Sequence, residues 1–364
     1  MIRITVLPGD GIGPEVTHEA VACLELLSAE RGLGLSFAEH DFGGIAIDRH
    51  GDPLPASTLD ACHEADAILL GAVGGDKWND CAVRPEAGLL RIRQELGLFA
   101  NLRPVQVLQD GEWSPLRSEV AAGADILVVR ELTGGIYYGE HRGTRDEASD
   151  LCTYSREQIE RVAHVAFRAA RARNGKVTQV DKANVLATSK LWRATVNEVA
   201  AAYPDVALEH VYVDACAMAV ITEPRRFDVI LTENLFGDIL SDLLSVIGGS
   251  IGLLGSSSLG AGGPGLFEPI HGSAPQIAGL DIANPAGAIA SAAMMLDELG
   301  LGDSGAVLRE GLEATLLSGC RTPDLGGDAS TSAFGSAVRN RLRIRAGRDK
   351  GLRNLFMSNR GCCG

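Results

Sequence analysis

Long apolar runs are missing from this 364-residue sequence, and with them any segment that reads as a membrane-spanning helix. A basic start followed by an apolar stretch is missing too. A strand-like segment begins at Ile2, so no secretory signal is expected. Positive charge is scarce: 33 Lys and Arg stand against 47 Asp and Glu, a net charge of −14. That balance argues against a nucleic-acid or anionic-membrane partner, although a local arginine cluster can still hold an acidic small molecule. Eight cysteines are present, but none forms a Cys-x-x-Cys pair. A zinc site or disulfide scaffold is therefore not expected, and free cytosolic thiols are. Cys362 and Cys363 lie in a tail too short to fold alone, which is expected to be disordered. There is no internal repeat and no low-complexity block.

What is present reads as a globular chain with strands and helices in alternation. Its length exceeds what one core usually supports, so two domains are expected. Strands are predicted at 3–7, 66–70, 125–131, 177–181, 208–213 and 227–231. Helices are predicted at 14–28, 86–96, 156–173, 189–202, 285–299, 304–317 and 331–345, with a short helix beginning at Cys216. This alternation predicts an α/β fold with a mostly parallel central sheet. The turn at 8–15 looks like a dinucleotide fingerprint, but its third glycine position is Pro14, which suits a helix start instead. From 248 to 265 glycine and serine dominate, which predicts a crossing between domains or a flexible loop.

The most informative stretch is Asn234-Leu-Phe-Gly-Asp-Ile-Leu-Ser-Asp242 and the residues after it. Apolar residues cover most of a helix there, and Asp238, Ser241, Asp242 and Ser245 fall in one stripe. Two carboxylates one turn apart repel and lose solvation unless something positive lies between them. Mg2+ or Mn2+ suits that role; alternatively the stripe is the helix's solvated face. Charged residues recur where apolar strands stop, at Arg130, Lys182 and Asp214. Arg93, Arg103 and Arg130 sit beside apolar segments, so their partners are internal carboxylates or a ligand with two carboxylates. Lys182 is either a solvated strand-end residue or a base. Tyr137 either packs or donates a proton, and His271 bonds either its own turn or a ligand.

Eight motifs then fall in one order: Leu-Pro-Gly-Asp-Gly-Ile-Gly-Pro-Glu (7–15), Val-Gly-Gly-Asp-Lys-Trp (73–78), Leu-Phe-Ala-Asn-Leu-Arg-Pro (98–104), Val-Val-Arg-Glu-Leu-Thr-Gly-Gly-Ile-Tyr (128–137), Asp-Lys-Ala-Asn-Val-Leu (181–186), Tyr-Val-Asp-Ala (212–215), Asn-Leu-Phe-Gly-Asp-Ile-Leu-Ser-Asp (234–242) and Glu-Pro-Ile-His-Gly-Ser-Ala-Pro (268–275). Together they resemble the isocitrate/isopropylmalate family of metal-dependent, β-decarboxylating dehydrogenases. The resemblance runs from the first strand to about residue 335 and leaves out the tail.

The resemblance implies the family's own two-domain α/β architecture rather than a Rossmann fold. Residues 1–98 with 250–364 would bind the cofactor, and 99–249 would carry substrate and dimer contacts, with the active site in the cleft between. It implies that Arg93, Arg103 and Arg130 hold the malate carboxylates, and that Asp214, Asp238 and Asp242 bind Mg2+ or Mn2+. Lys182 would serve as base and Tyr137 as proton donor to carbon. Lys182 and Asp214 would come from the second subunit of a homodimer. NAD would lie against Ile12, Val73, Gly74, Gly75, Glu86, His271, Gly272, Ser273, Ala274, Pro275, Gln276, Ile277 and Asn284. Gln276 stands where NAD-using relatives usually carry Asp, so weaker discrimination against NADP is expected.

On the helix from Glu86 to Arg93, Leu89 and Leu90 replace the polar residues that meet a third carboxylate in isocitrate-using relatives. They would bury an isopropyl group, for a selectivity of roughly 1–3 kcal/mol. The implied activity is oxidative decarboxylation of 3-isopropylmalate to 4-methyl-2-oxopentanoate and CO2 in leucine biosynthesis, in the cytoplasm. A broader D-malate or tartrate enzyme is the alternative within the class. A non-catalytic metabolite-binding protein would need neither Lys182 nor Tyr137, and both are present.

Overall fold

The computed structural model describes residues 1–108 and 113–343. Cys362, Cys363 and the end of the last predicted helix lie outside the described residues. The strands are β1 (Ile2–Gly9), β2 (Leu35–Glu39), β3 (Ala67–Ala72), β4 (Ala100–Gln106), β5 (Asp125–Glu131), β6 (His141–Gly143), β7 (Ala148–Asp150), β8 (Lys176–Asp181), β9 (Ala207–Tyr212), β10 (Val229–Thr232), β11 (Gly255–Leu259) and β12 (Gly265–Pro269). Ten of them form one sheet in the order β2-β1-β3-β12-β11-β4-β5-β10-β8-β9, and β6 pairs with β7 in a separate hairpin. Both outer flanks are parallel, and β12, β11, β4 and β5 pair antiparallel at the centre. The mostly parallel α/β prediction holds, and this order is not the Rossmann order.

Helices cover both faces, so strands such as β5 are buried almost throughout and read as unbroken apolar runs. The Arg156–Arg171 helix shows how locally this is specified. Ser155 and Gln158 form a reciprocal capping box, and Ile159, Val162, Ala163, Ala166, Phe167 and Ala170 form its buried face. Separate cores lie on the two flanks. One joins Val16, Ala20 and Leu24 to Ile289, Leu308 and Phe334; another joins Phe99 and Val129 to Phe167, Trp192 and Leu231. Among the described residues no helix is long and apolar enough to cross a membrane.

The glycine- and serine-rich stretch is not a loop throughout. Gly255–Leu259 is the central strand β11, with Ser256, Ser257 and Ser258 buried. Its hydroxyls are satisfied inside: Ser256 Oγ donates to the Glu268 carbonyl at 3.0 Å, and Ser258 Oγ accepts from Asn101 Nδ2 at 3.2 Å. The small residues also admit the Ala286–Glu298 helix, since a Cβ on Gly255 would come within 2.5 Å of the Ser291 nitrogen.

At the end of β1 the turn is organised by Asp10, which is buried and which sequence reasoning did not single out. Its Oδ2 accepts from the Gly44 and Gly74 N–H groups at 2.8 and 2.9 Å, and its Oδ1 from Ile45 at 2.9 Å. One carboxylate thus ties three loops into one rim. Gly11, at φ +58°, passes so close to the loop after β12 that a Cβ would lie 2.0 Å from the Ser273 carbonyl oxygen. Asp10→Ala strips three N–H groups of their acceptor, and we expect it to lower unfolding stability by at least about 2 kcal/mol in denaturant titrations. Asp10→Asn, which keeps one acceptor oxygen, should lose less.

Candidate functional site

The Asn234–Ile247 helix is capped by Glu233, whose side chain accepts the Phe236 N–H at 2.9 Å. Its polar stripe is solvated only at the carboxylates, Asp242 being exposed and Asp238 half-buried. Ser241 and Ser245 are buried, whereas the apolar Ile239 and Val246 are 58% and 53% exposed. The serines turn inward because they have partners: Ser241 Oγ accepts from Arg103 Nη1 at 2.7 Å, and Ser245 Oγ donates to the Asp242 carbonyl at 2.6 Å.

Arg130, near the end of β5, is buried and crosses this helix at Gly237, where a Cβ would come within 2.7 Å of its Cγ. Its Nε and Nη2 donate to Asn234 Oδ1 at 3.0 and 2.7 Å, and its Nη1 donates to Asp238 Oδ1. Arg103, on the neighbouring β4, donates from Nε to Asn101 Oδ1 at 2.8 Å and lies 3.4 Å from Asp242 and 3.7 Å from Asp238. Tyr137 donates its hydroxyl to Asp238 Oδ2 at 2.9 Å. Arg93, on the Pro85–Glu95 helix, pairs with Glu268 at 2.8 Å and lies near enough to act on the charges of Arg103 and Arg130.

The crowding shifts every group in this cluster that carries a resolved change. Burial, then Arg130, lowers Arg103 to about 10, which still leaves it charged at neutral pH. Burial also lowers Arg130. For Asp238 burial pushes upward, but Arg130 and Arg103 outweigh it and hold the carboxyl below its usual range. Partial desolvation, with the Asp238 charge, pushes Asp242 up. Burial and Asp238 push Tyr137 up to about 12, so its hydroxyl keeps its proton.

Lys182 and Asp214 are brought to each other, with Nζ donating to Oδ1 at 2.6 Å. Asp214 stands in the first turn of the Val213–Thr222 helix rather than at a strand exit, because the chain turns helical directly after β9. Among the described residues no cluster of three His, Cys, Asp or Glu side chains is placed to hold a metal. Asp238 and Asp242 therefore offer two oxygen-donor groups on one helix, a set that suits a hard divalent cation.

The cofactor-type loops meet at one edge. The Ile12 N–H donates to the Ser273 carbonyl at 2.8 Å, and the Gly74 loop is held by Asp10. Glu86 is exposed and Leu89 and Leu90 are half-buried on the facing helix. Val73 and Gly75 are half-buried, and a Cβ on Gly75 would come within 2.9 Å of the Trp78 ring. His271 is buried, its Nδ1 lies 2.9 Å from the Gly272 carbonyl, and burial lowers its pKa. With Nδ1–H donating to that carbonyl, Nε2 is an acceptor, and it has no partner. Such an orphaned acceptor fits the amino edge of a purine. Ala274 is held in the left-handed region at φ +38°, ahead of the Pro275–Ile277 turn that presents Gln276 to solvent. Asn284 is engaged with Asp324 at 3.0 Å.

Asn101, Asn234, Ser241 and Glu268 are the site residues that sequence reasoning missed. The two asparagines lie inside recognisable motifs, but only the fold aims them at arginines.

The family described as isocitrate/isopropylmalate dehydrogenase matches residues 3–338. The 3-isopropylmalate dehydrogenase of Salinibacter ruber is 57% identical over 348 residues, covering 93% of this chain and 94% of that protein. That of Anaeromyxobacter dehalogenans is 52% identical over 352 residues, covering 93% and 99%. Among solved structures, isocitrate dehydrogenase from Methylococcus capsulatus superposes with a TM-score of 0.86 at 35% identity, covering 94% of this chain and all of that one. A β-decarboxylating dehydrogenase from Thermococcus kodakarensis gives 0.81 at 38% identity, covering 96% and 98%. Fold and site thus define an oxidoreductase of the α/β class. The chain belongs to the isocitrate/isopropylmalate dehydrogenase family.

A carboxyl held above its usual range is harder to ionise in the folded than in the unfolded state. Ionised Asp242 therefore costs stability at neutral pH, and the cost vanishes where both states are protonated. Asp242→Asn should unfold at a higher temperature than the wild type at pH 7 in metal-free buffer. The difference should close below about pH 3.

Proposed function

We propose that this chain oxidises and decarboxylates 3-isopropylmalate to 4-methyl-2-oxopentanoate and CO2, with NAD and Mg2+ or Mn2+, in leucine biosynthesis. The observation that carries the reading is the convergence of Arg103, Arg130 and Tyr137 on Asp238, with Arg93 beside them. It supplies cations for two carboxylates, a protonated hydroxyl and a cation-binding acid in one place.

Asp238 and Asp242, with the partner's Asp214, would hold the divalent cation, which acidifies a bound alcohol and stabilises charge on oxygen. Ile12, Val73, Gly74, Gly75 and the 271–277 loop, with Asn284, would hold NAD, which accepts the hydride. Arg93, Arg103 and Arg130 grip the two carboxylates and fix which face of the alcohol carbon is presented. The partner's Lys182 would take the hydroxyl proton as the hydride leaves. After CO2 departs, the Tyr137 hydroxyl delivers a proton to carbon, and Asp238 holds that hydroxyl in place beforehand. Leu89 and Leu90 receive the isopropyl group, where a third carboxylate would lose its solvation.

The chain works as a homodimer with shared sites in this reading. The exposed Val185, Met218, Ile239 and Val246 support it, since they leave apolar surface on and beside the adjoining 213–222 and 234–247 helices. Residues 1–98 with 250–364 form the cofactor domain and 99–249 the dimerisation domain. The cores on the two flanks support that division for the described residues, while a third core packs Leu254 against Val105 and Leu244 across the boundary. Cys23, Cys62 and Cys216 are free, which suits the reducing cytoplasm.

With Mg2+, NADH formation should favour isopropylmalate over malate, tartrate and isocitrate by at least about tenfold in kcat/KM. Chelation should abolish turnover. Full activity in metal-stripped protein, or a preference for tartrate or malate, would overturn the assignment. Gln276 cannot repel a 2′-phosphate, and residues 272–284 carry no Lys or Arg to bind one. The ratio of kcat/KM for NAD over NADP should therefore exceed one and rise in Gln276→Asp.

A further inference from the structure

Arg193 lies outside the charge cluster around Asp238, yet its guanidinium joins the two elements that carry Lys182 and Asp214. Its Nε donates to Asp181 Oδ2 at 2.9 Å and its Nη2 to Asp181 Oδ1 at 2.8 Å, a bidentate grip. The same guanidinium lies 5.1 Å from the centre of the Tyr212 ring. Asp181 and Tyr212 are paired across β8 and β9. Asp181 immediately precedes Lys182, and Tyr212 is the residue from which the helix bearing Asp214 starts.

The backbone around Lys182 is fixed from the same side. Asp181, 1% exposed, also accepts the Ala183 N–H at 2.9 Å, and Ser189 Oγ accepts the Lys182 N–H at 3.1 Å. A buried carboxylate at a strand end needs a cation, and a lysine would neutralise it equally well. What a lysine does not supply is two parallel donors plus a flat face for the Tyr212 ring. The choice of arginine is explained if both strand ends must be held at a fixed spacing.

We propose that Arg193 is a positioning residue for the Lys182–Asp214 pair, setting the spacing and aim with which that pair enters the partner's site. The proposal rests on the shared-site reading given above. It predicts that Arg193 acts on the partner's cleft and not on the cleft of its own chain.

The test uses full-length Arg193→Ala and Arg193→Lys, each checked for folding by thermal unfolding and for dimer by gel filtration. With isopropylmalate, NAD and Mg2+, Arg193→Ala should lose about 10–100-fold in kcat, the range for residues that orient an active-site group. The KM for NAD should stay unchanged, and Arg193→Lys should recover only part of the rate. Co-expression separates positioning from general support. Mixed with Tyr137→Phe, Arg193→Ala should regain activity toward about a quarter of wild type, because one site in each mixed dimer is then intact. Mixed with Lys182→Ala, it should regain nothing. Wild-type kcat in Arg193→Ala overturns the proposal. So does a failure to complement Tyr137→Phe when the control pair Lys182→Ala with Tyr137→Phe does complement. Should that control itself fail, the shared-site reading falls and takes this proposal with it. If Arg193→Ala does not fold, Arg193→Lys carries both measurements.

Discussion

The structure turns on how its buried arginines are held. Arg103 and Arg130 each make two hydrogen bonds to neutral oxygens, from Asn101 and Ser241 in one case and Asn234 in the other. Neutral acceptors relieve the desolvation of a guanidinium without cancelling its charge. Asp238 is the carboxylate in closest contact with Arg130, and it also accepts from Tyr137. The three arginines face Asp238, Asp242 and Glu268, so cation and carboxylate balance within the cluster although the chain's net charge is −14.

The surrounding fold keeps that arrangement in place. Gly237 lets the Arg130 stem cross the helix at contact distance, and Glu233 fixes where the helix begins. Tyr154 braces the same corner, donating to Glu233 at 3.1 Å and accepting the Asn234 N–H at 2.9 Å. Asn234 in turn donates to the Gly134 carbonyl at 3.1 Å, so the loop leading to Tyr137 and the grip on Arg130 share one side chain. On the other flank Asp10 performs the comparable task for the loops at Gly44 and Gly74.

Much of this was legible in the residues. The strand at 125–131 and the helix at 156–171 are each specified by their own apolar spacing and, for the helix, by its cap. The Gly9–Pro14 turn excluded a Rossmann fingerprint without any coordinates. Several of the failures share a cause: polarity is a poor guide when a polar group finds its partner inside the fold rather than in water. Ser256–Ser258 look like a loop because their acceptors and donors come from Glu268 and Asn101. Ser241 and Ser245 look solvated because Arg103 arrives from 138 residues away and Ser245 bonds its own helix. The motifs singled out Asp214, but whether it sat on a strand end or a helix turn depended on where β9 stopped.

The antiparallel seam at the middle of the sheet also restricts how the molecule can move. The flank built on β1 and β3 meets the flank built on β5 and β10 through β11 and β4, which pair at Ser257 with Leu102, Ser258 with Asn101 and Leu259 with Ala100. Sliding one flank along the other would break that ladder, whereas a change of strand twist preserves its bonds. Any opening between the helix of Leu89 and Leu90 and the helix of Asp238 must then be a torsion about these few residues. Asn101, which sits in the seam and also holds Arg103, would feel every degree of it.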